Sequence, residues 1–195
     1  MIWADVHRRL GASGGSRLAM LFLRDRAFRP LVTLRLYQAL RGTWYGRLAH
    51  PFLTVFHKGL CQLAAIDLPL TTPIGPAFAI LHGWGMVLTE GATIGSNVSI
   101  FHGATIGQGD HIAPDGSRTT GYPVIEDDVW IGPGVTIVGG IRVGAGSRIL
   151  SNTVVVADVP PRSMVSGIPG KVIREDCPSD VANRVDPSRF SVGLA

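Results

Sequence analysis

Two cysteines in 195 residues, Cys61 and Cys177, are too few for a disulfide framework and too far apart for a metal knuckle. Their scarcity points to a reducing compartment, the cytoplasm. Long apolar runs are missing as well. No stretch reaches the length of a membrane span, and the opening MIWADVHRRLGASGG has no signal-peptide core. Acid is scarce in the first third, where residues 1–66 hold ten Lys/Arg against only Asp5 and Asp25. The remainder reverses the balance, with eight basic and twelve acidic residues. No recognition motif accompanies the basic excess, so nucleic acid is not the expected partner. Two readings of that excess stay open. It is the solvated face of helices that pack an oligomer, or, with Phe22, Phe28, Trp44 and Tyr45, a peripheral dock on the inner membrane surface.

What is present is apolar residue, at 46% with a mean hydropathy of +0.27, enough for one core and no case for disorder. Residues 1–66 read as a helical segment. LAMLFLRDRAFRPLVTLRLYQALRG carries spaced leucines among arginines, with Pro30 as a break and Gly42 as a stop. LTVFHKGLCQLAAI reads as a further helix, so two to four short helices are expected from about residue 16 onward.

Beyond Asp67 the period changes to six. Leu88, Ile94, Ile100 and Ile106 start the count, which resumes at Ile125, Ile131, Ile137, Val143, Ile149 and Val155. Small or β-branched residues recur four places further on, as at Ala92, Val98, Ala104, Val129 and Val135. An α-helix cannot hold a period of six, and a flat strand repeats in two. A triangular coil of three six-residue sides can, with the repeat residue inside on every side. The expectation is a mainly β fold, a parallel β-helix over 67–174 behind the helices. A polar segment, 108–123, interrupts it as a working loop without regular structure. Residues 175–195 read as a tail that frays or drapes over a neighbour.

The hexads, the loop and GIPGKVI together resemble the left-handed β-helix acyltransferases of the hexapeptide-repeat superfamily. IDLPLTTPIGPAFAILHG with SIFHGATIG narrows the resemblance to serine O-acetyltransferases and the colanic-acid type of exopolysaccharide acetyltransferases. It covers residues 67–174, with a weaker echo in LRDRAFRPLVTLRLYQAL. It implies left-handed crossovers, an exception to the usual handedness, and acetyl-CoA or another acyl-CoA as co-substrate without a metal. It also implies homotrimers with sites between neighbouring coils, some paired into hexamers.

Asp67 and His82, fifteen residues apart, match that family's aspartate and catalytic histidine. Acyl transfer from a thioester to a hydroxyl needs a base for the hydroxyl proton, and neutral imidazole serves near pH 7. A carboxylate on its other nitrogen fixes the tautomer. From the residues alone, His82 is equally a satisfied core histidine and Asp67 a turn cap. His102 reads as an assisting group or a wall residue, and His111 as a second candidate for the base. Gly107, Gly132, Gly134 and Ser151 are small corner residues that let a pantetheine arm approach, and Lys171 and Arg174 match the coenzyme-A segment that meets its phosphates.

Two positions depart from the serine enzymes. Where they carry an aspartate before the histidine, this chain has Leu81. Where they carry Arg-His-Pro, it reads Gly121-Tyr122-Pro123. A zwitterion offered those residues would be desolvated without charged partners. The expected acceptor is therefore an uncharged hydroxyl on a sugar or glycan precursor, lined by Leu81 and Tyr122. The alternatives are a serine O-acetyltransferase with a rebuilt clamp, a γ-carbonic-anhydrase-like zinc enzyme using His82, His102 and His111, and a non-catalytic scaffold.

Overall fold

A six-residue beat can be kept only if the chain turns a corner after each short strand, and it does. The computed structural model describes residues 1–189 and contains a left-handed β-helix of three faces. Face I stacks Ile66–Asp67, Met86–Leu88, Thr105–Gly107, Thr136–Val138 and Val154–Val155. Face II stacks Thr93–Ile94, Val124–Ile125 and Arg142–Val143. Face III runs through Ala79–Leu81, Ser99–Phe101, Trp130–Ile131, Arg148–Ile149 and Met164–Ser166, and ends with Lys171–Arg174 added antiparallel.

The register is the repeat made visible. Ile131 pairs with Ile149, one eighteen-residue coil on, and with Ile100 on its other side. Ile106 pairs with Leu88 and Ile137, and Ile125 with Ile94 and Val143. All ten hexad residues from Leu88 to Val155 are at most 2% exposed. Burying each aliphatic side chain contributes about 1.5–3 kcal/mol, so the stack is the main source of stability. One coil is longer. Ile80 pairs with Ile100, twenty residues on, because two extra residues widen the corner at His82–Gly85. His82 adopts φ 54° and Gly85 φ 64° to make that turn.

Four helices precede the coils: α1 (Ile2–Leu10), α2 (Gly15–Arg24), α3 (Phe28–Leu40) and α4 (Trp44–Ala64). Pro30 does not break α3; it sits in the first turn, where a missing N–H costs nothing. The expected stop at Gly42 does separate α3 from α4, and Thr43 caps α4 by accepting from the Gly46 N–H at 3.0 Å. Helix α1, which lies inside the helical segment expected over 1–66 but ahead of the helices read from about residue 16 onward, packs on face III. Its Arg8 donates to Ser99 Oγ at 2.6 Å and to the Ala77 carbonyl at 3.2 Å. Buried Asp5 accepts from Arg35 of α3 at 2.7 and 3.0 Å and from the Phe78 N–H at 3.0 Å. Arg35 also donates to the carbonyls of Ile74 and Gly75.

Two expectations need correction. Residues 108–123 are not an unstructured loop. Gly109–Ile112 and Arg118–Gly121 form an antiparallel hairpin, tied by Asp110 to Arg118 at 3.1 Å and to Thr120 at 2.7 Å. Nor do residues 175–189 fray or leave for a neighbour. Asn97 exchanges two hydrogen bonds with Val185, Arg184 grips Asp128 at 2.8 and 3.0 Å, and Cys177 is buried. These polar partners lie 88 and 56 positions apart in the chain, beyond any local sequence signal. Residues 190–195 of the expected tail lie outside the described residues.

The join between α4 and the first coil rests on a buried histidine. His57 Nε2 lies 2.6 Å from the Leu68 carbonyl and Nδ1 lies 2.6 Å from Thr33 Oγ1. A neutral ring satisfies both by donating to Leu68 and accepting from Thr33. Burial holds this imidazole below the usual histidine range, against the opposing pull of the Leu68 carbonyl. The unfolded chain takes up its proton near pH 6.5 while the folded chain resists, so stability falls as pH drops below about 6.5. Thermal unfolding from pH 8 to 5 will show this decline, and His57→Gln, which still donates to Leu68, will flatten it. In denaturant titrations Ile131→Ala will cost about 2–5 kcal/mol, whereas exposed Val55→Ala on α4 will cost less than about 0.5 kcal/mol.

Candidate active site

The edge where face III turns into face I gathers most of the chemistry. Leu81 pairs with Phe101, so His82 and His102, each the next residue, occupy the same corner on successive coils. Both side chains are exposed. The wide corner is held from two sides: the Gly85 N–H donates to the Ala65 carbonyl at 2.7 Å, and the Gly103 N–H to the Trp84 carbonyl at 2.7 Å. Gly83 is required here, because a Cβ would strike Ile80 and Ala27 at the start of α3. Arg26 stacks 3.8 Å above the Trp84 ring and ties the helices to the same corner.

Asp67 lies on the strand beside this corner, paired with Val87, with its carboxylate exposed. The fold thus puts Asp67 and His82 on successive coils, His82 at the corner that leads into face I and Asp67 on that face, and among the described residues no hydrogen bond joins them. The His82 ring instead faces Phe101 at 6.3 Å, Phe101 meets Trp130 at 5.0 Å, and Arg148 caps Trp130 at 4.6 Å. This ladder on face III was not anticipated from sequence. Successive members sit nineteen, twenty-nine and eighteen residues apart, a spacing that reads as proximity only once the coil lengths are known.

A cleft of about 630 Å³ opens beside Asp67, between α4 and residues 66–71. His50, Thr54 and Lys58 line it from the helix, and Asp67 and Thr71 from the coil. Beneath it lie His57 and Cys61, whose thiol burial pushes up to about 11, so it stays protonated at neutral pH. Sequence reasoning missed this cleft. Its signal was the helical spacing of His50, Thr54 and Lys58, which places them on one side of α4.

The corner residues expected near a donor divide between two edges. Gly132, Gly134 and Ser151 continue the histidine edge, where the Gly134 N–H donates to the His102 carbonyl at 3.0 Å. Each glycine also meets its own chain: a Cβ at Gly132 would press on the Trp130 ring, and one at Gly134 on the Asn152 side chain. Lys171 and Arg174 lie exposed on the last strand of face III, opposite Ser166 and Met164. Gly107, Tyr122 and the hairpin bearing His111 sit at the other end of face I, where it turns into face II. There the Tyr122 ring covers Gly91, which has no room for a side chain. A face six residues wide spans on the order of 15–20 Å. Tyr122 and His111 therefore do not meet Leu81, His82 or His102 within one chain.

Comparison with known proteins identifies this geometry. The family of bacterial transferase hexapeptide (six repeats) matches residues 122–157. Serine acetyltransferase from Bacillus licheniformis is 33% identical over 186 residues, covering 85% of this chain and 84% of its own. The Mycobacterium tuberculosis serine acetyltransferase is 36% identical over 151 residues, covering 73% of this chain and 64% of its own. Among solved structures, Neisseria gonorrhoeae serine acetyltransferase in complex with serine superposes with a TM-score of 0.68 at 29% identity. It covers 89% of this chain and 67% of that one. These relatives overturn the expected sugar or glycan acceptor and any place in polysaccharide synthesis. Three changed side chains were weighed as though no others could replace them, while similarity across most of the chain runs to serine enzymes. The chain belongs to the serine acetyltransferase family of hexapeptide-repeat transferases, and is an acetyl-CoA-dependent O-acyltransferase.

Proposed function

We propose that the chain transfers the acetyl group of acetyl-CoA to the hydroxyl of L-serine, with His82 as general base and Asp67 as its orienting partner. The observation that carries this is the placement of both exposed residues on successive coils, His82 at the corner that leads into face I and Asp67 on that face, where it lines a cleft with Lys58. The serine hydroxyl gives its proton to the imidazole as its oxygen bonds to the thioester carbon. The C–S bond then breaks, and the imidazolium returns that proton to the departing thiolate. Backbone N–H groups of the coil polarise the thioester oxygen. Catalytic hydrogen bonds commonly close only when substrate is present, which accounts for the open His82–Asp67 arrangement.

Leu81, Gly121 and Tyr122 offer serine no charge, so its partners come from elsewhere. Lys58 on α4 can meet the carboxylate, and Asp67, at the same cleft, lies within the field of the ammonium. The donor runs down the histidine edge past His102, Gly134 and Ser151, with its phosphates toward Lys171 and Arg174. Homotrimers complete the site: the Tyr122 edge of one chain sets against the His82 edge of the next.

His82→Ala will lower kcat about 10²–10⁴-fold with the unfolding midpoint unchanged, since the ring is exposed; thiol release from acetyl-CoA and L-serine measures this. Lys58→Met will raise KM for serine about 10- to 100-fold, the loss of one charged hydrogen bond, with KM for acetyl-CoA unchanged. No turnover with L-serine by the unaltered enzyme would defeat the assignment. Mixing inactive His82→Ala with an impaired Tyr122→Ala variant will restore activity through shared sites, whereas sites confined to one chain will show no gain.

A further inference from the structure

Helix α4 has two apolar faces, and only one is used. Leu53, His57, Leu60, Cys61 and Ala64 face the β-helix and are buried. Trp44, Leu48, Phe52, Val55, Phe56 and Leu63 fall on a separate arc of roughly 120°, at 100° per residue. They are wide open: Phe52 is 79% exposed, and Trp44 and Val55 are 74% exposed. Contiguous apolar surface of this kind marks an interaction site.

The charge around the stripe has one sign. Both acids of residues 1–66 are consumed internally, Asp5 by Arg35 and Asp25 by Arg9. Among the described residues, the exposed Arg41, Arg47 and Lys58 have no carboxylate partner. Arg47 and Lys58 border the stripe along α4. At its N-terminal end the turn between α3 and α4 forms a depression of about 350 Å³ lined by Tyr37, Arg41, Arg47 and His50. A cationic hollow beside Trp44 suits a phosphate headgroup at the depth where an indole ring settles.

We infer that α4 docks this enzyme on an anionic phospholipid surface. The stripe enters the headgroup–acyl boundary, and Arg41 and Arg47 take lipid phosphates. Charge complementarity selects this occupant. A second copy packed stripe to stripe would bring the same unpaired cations against these, whereas an anionic leaflet neutralises them. No helix among the described residues is long and apolar enough to cross a membrane, so the contact lies in the interface plane. The inference is independent of the acceptor assigned above.

Co-sedimentation of the full chain with vesicles tests it. The chain will pellet with vesicles of phosphatidylcholine and phosphatidylglycerol, not with phosphatidylcholine alone, and 0.5 M salt will release it. Arg41→Gln with Arg47→Gln will weaken binding about 30-fold, from about one kcal/mol per cation. Phe52→Glu will abolish it, with unfolding midpoint and thiol release retained in both variants. Equal binding to neutral vesicles, or none to anionic ones, overturns the inference. So does a fall in the mass of the lipid-free oligomer on Phe52→Glu, which would make the stripe a contact between copies.

Discussion

Everything in this molecule follows from aliphatic side chains lying directly over their equivalents one coil away. Ile131 rests between Ile100 and Ile149, and Ile137 between Ile106 and Val155, with no gap for water. Because each inward residue is fixed on all three faces, each corner is fixed too. A corner residue on one coil must sit above the corner residue of the next. Function is written on those corners, where side chains can project without disturbing the stack. Two insertions depart from the eighteen-residue coil: the hairpin at 109–121 leaves face I and returns in register, and two residues at His82–Gly85 widen one corner while leaving Ile80 in register with Ile100. The site is thus a local departure that the core around it can hold.

A solenoid has open ends, and an uncovered first coil would present unpaired strand edges. The helices solve this with charge as well as apolar surface. The Asp5–Arg35 pair is taken fully out of water, at a cost that mutual attraction alone does not always repay. Here each group also meets backbone atoms of the first coil, Phe78 N–H for Asp5 and the Ile74 and Gly75 carbonyls for Arg35. Those backbone groups would otherwise be orphaned where the repeat begins. The pair therefore sets the seating of α1 and α3 on residues 74–78, directly before the strand Ala79–Leu81 that leads into His82.

Legibility divided along the same physical line. The hexads were readable because their period is local, and all ten proved to be core. The helices over 16–66 were readable for the same reason, although α1 was not: in IWADVHRRL the buried Asp5 and Arg8 look like surface residues until their partners are known. The hairpin at 109–121 hid behind Gly, Pro and Asp, which signal turns but do not reveal that two four-residue strands flank them. The ladder from His82 to Arg148, the cleft at Lys58 and the return of residues 175–189 all depend on long-range juxtaposition. The acceptor was misjudged for that reason too: Leu81, Gly121 and Tyr122 were weighed without the groups that α4 brings to the cleft at Asp67, Lys58 among them.

The surroundings of Leu81 bear on how a changed clamp is tolerated. At position 81 a carboxylate would stand beside Phe101, at the foot of the Phe101–Trp130 ladder, with Arg148 already committed to the Trp130 ring and to Asp180. Leucine suits that apolar neighbourhood, and the need for charge passes to whatever else borders the cleft. Helix α4 is such a border, because its inner side approaches Asp67 with His50, Thr54 and Lys58 while its outer side carries the aromatic stripe. One helix then serves two surfaces. The side that seals the first coil also turns polar groups toward the cleft at Asp67, and the buried His57 bond to Leu68, one residue beyond Asp67, ties it to the coil there. Substrate recognition can therefore move from corner residues to the helix without altering a single residue of the aliphatic stack.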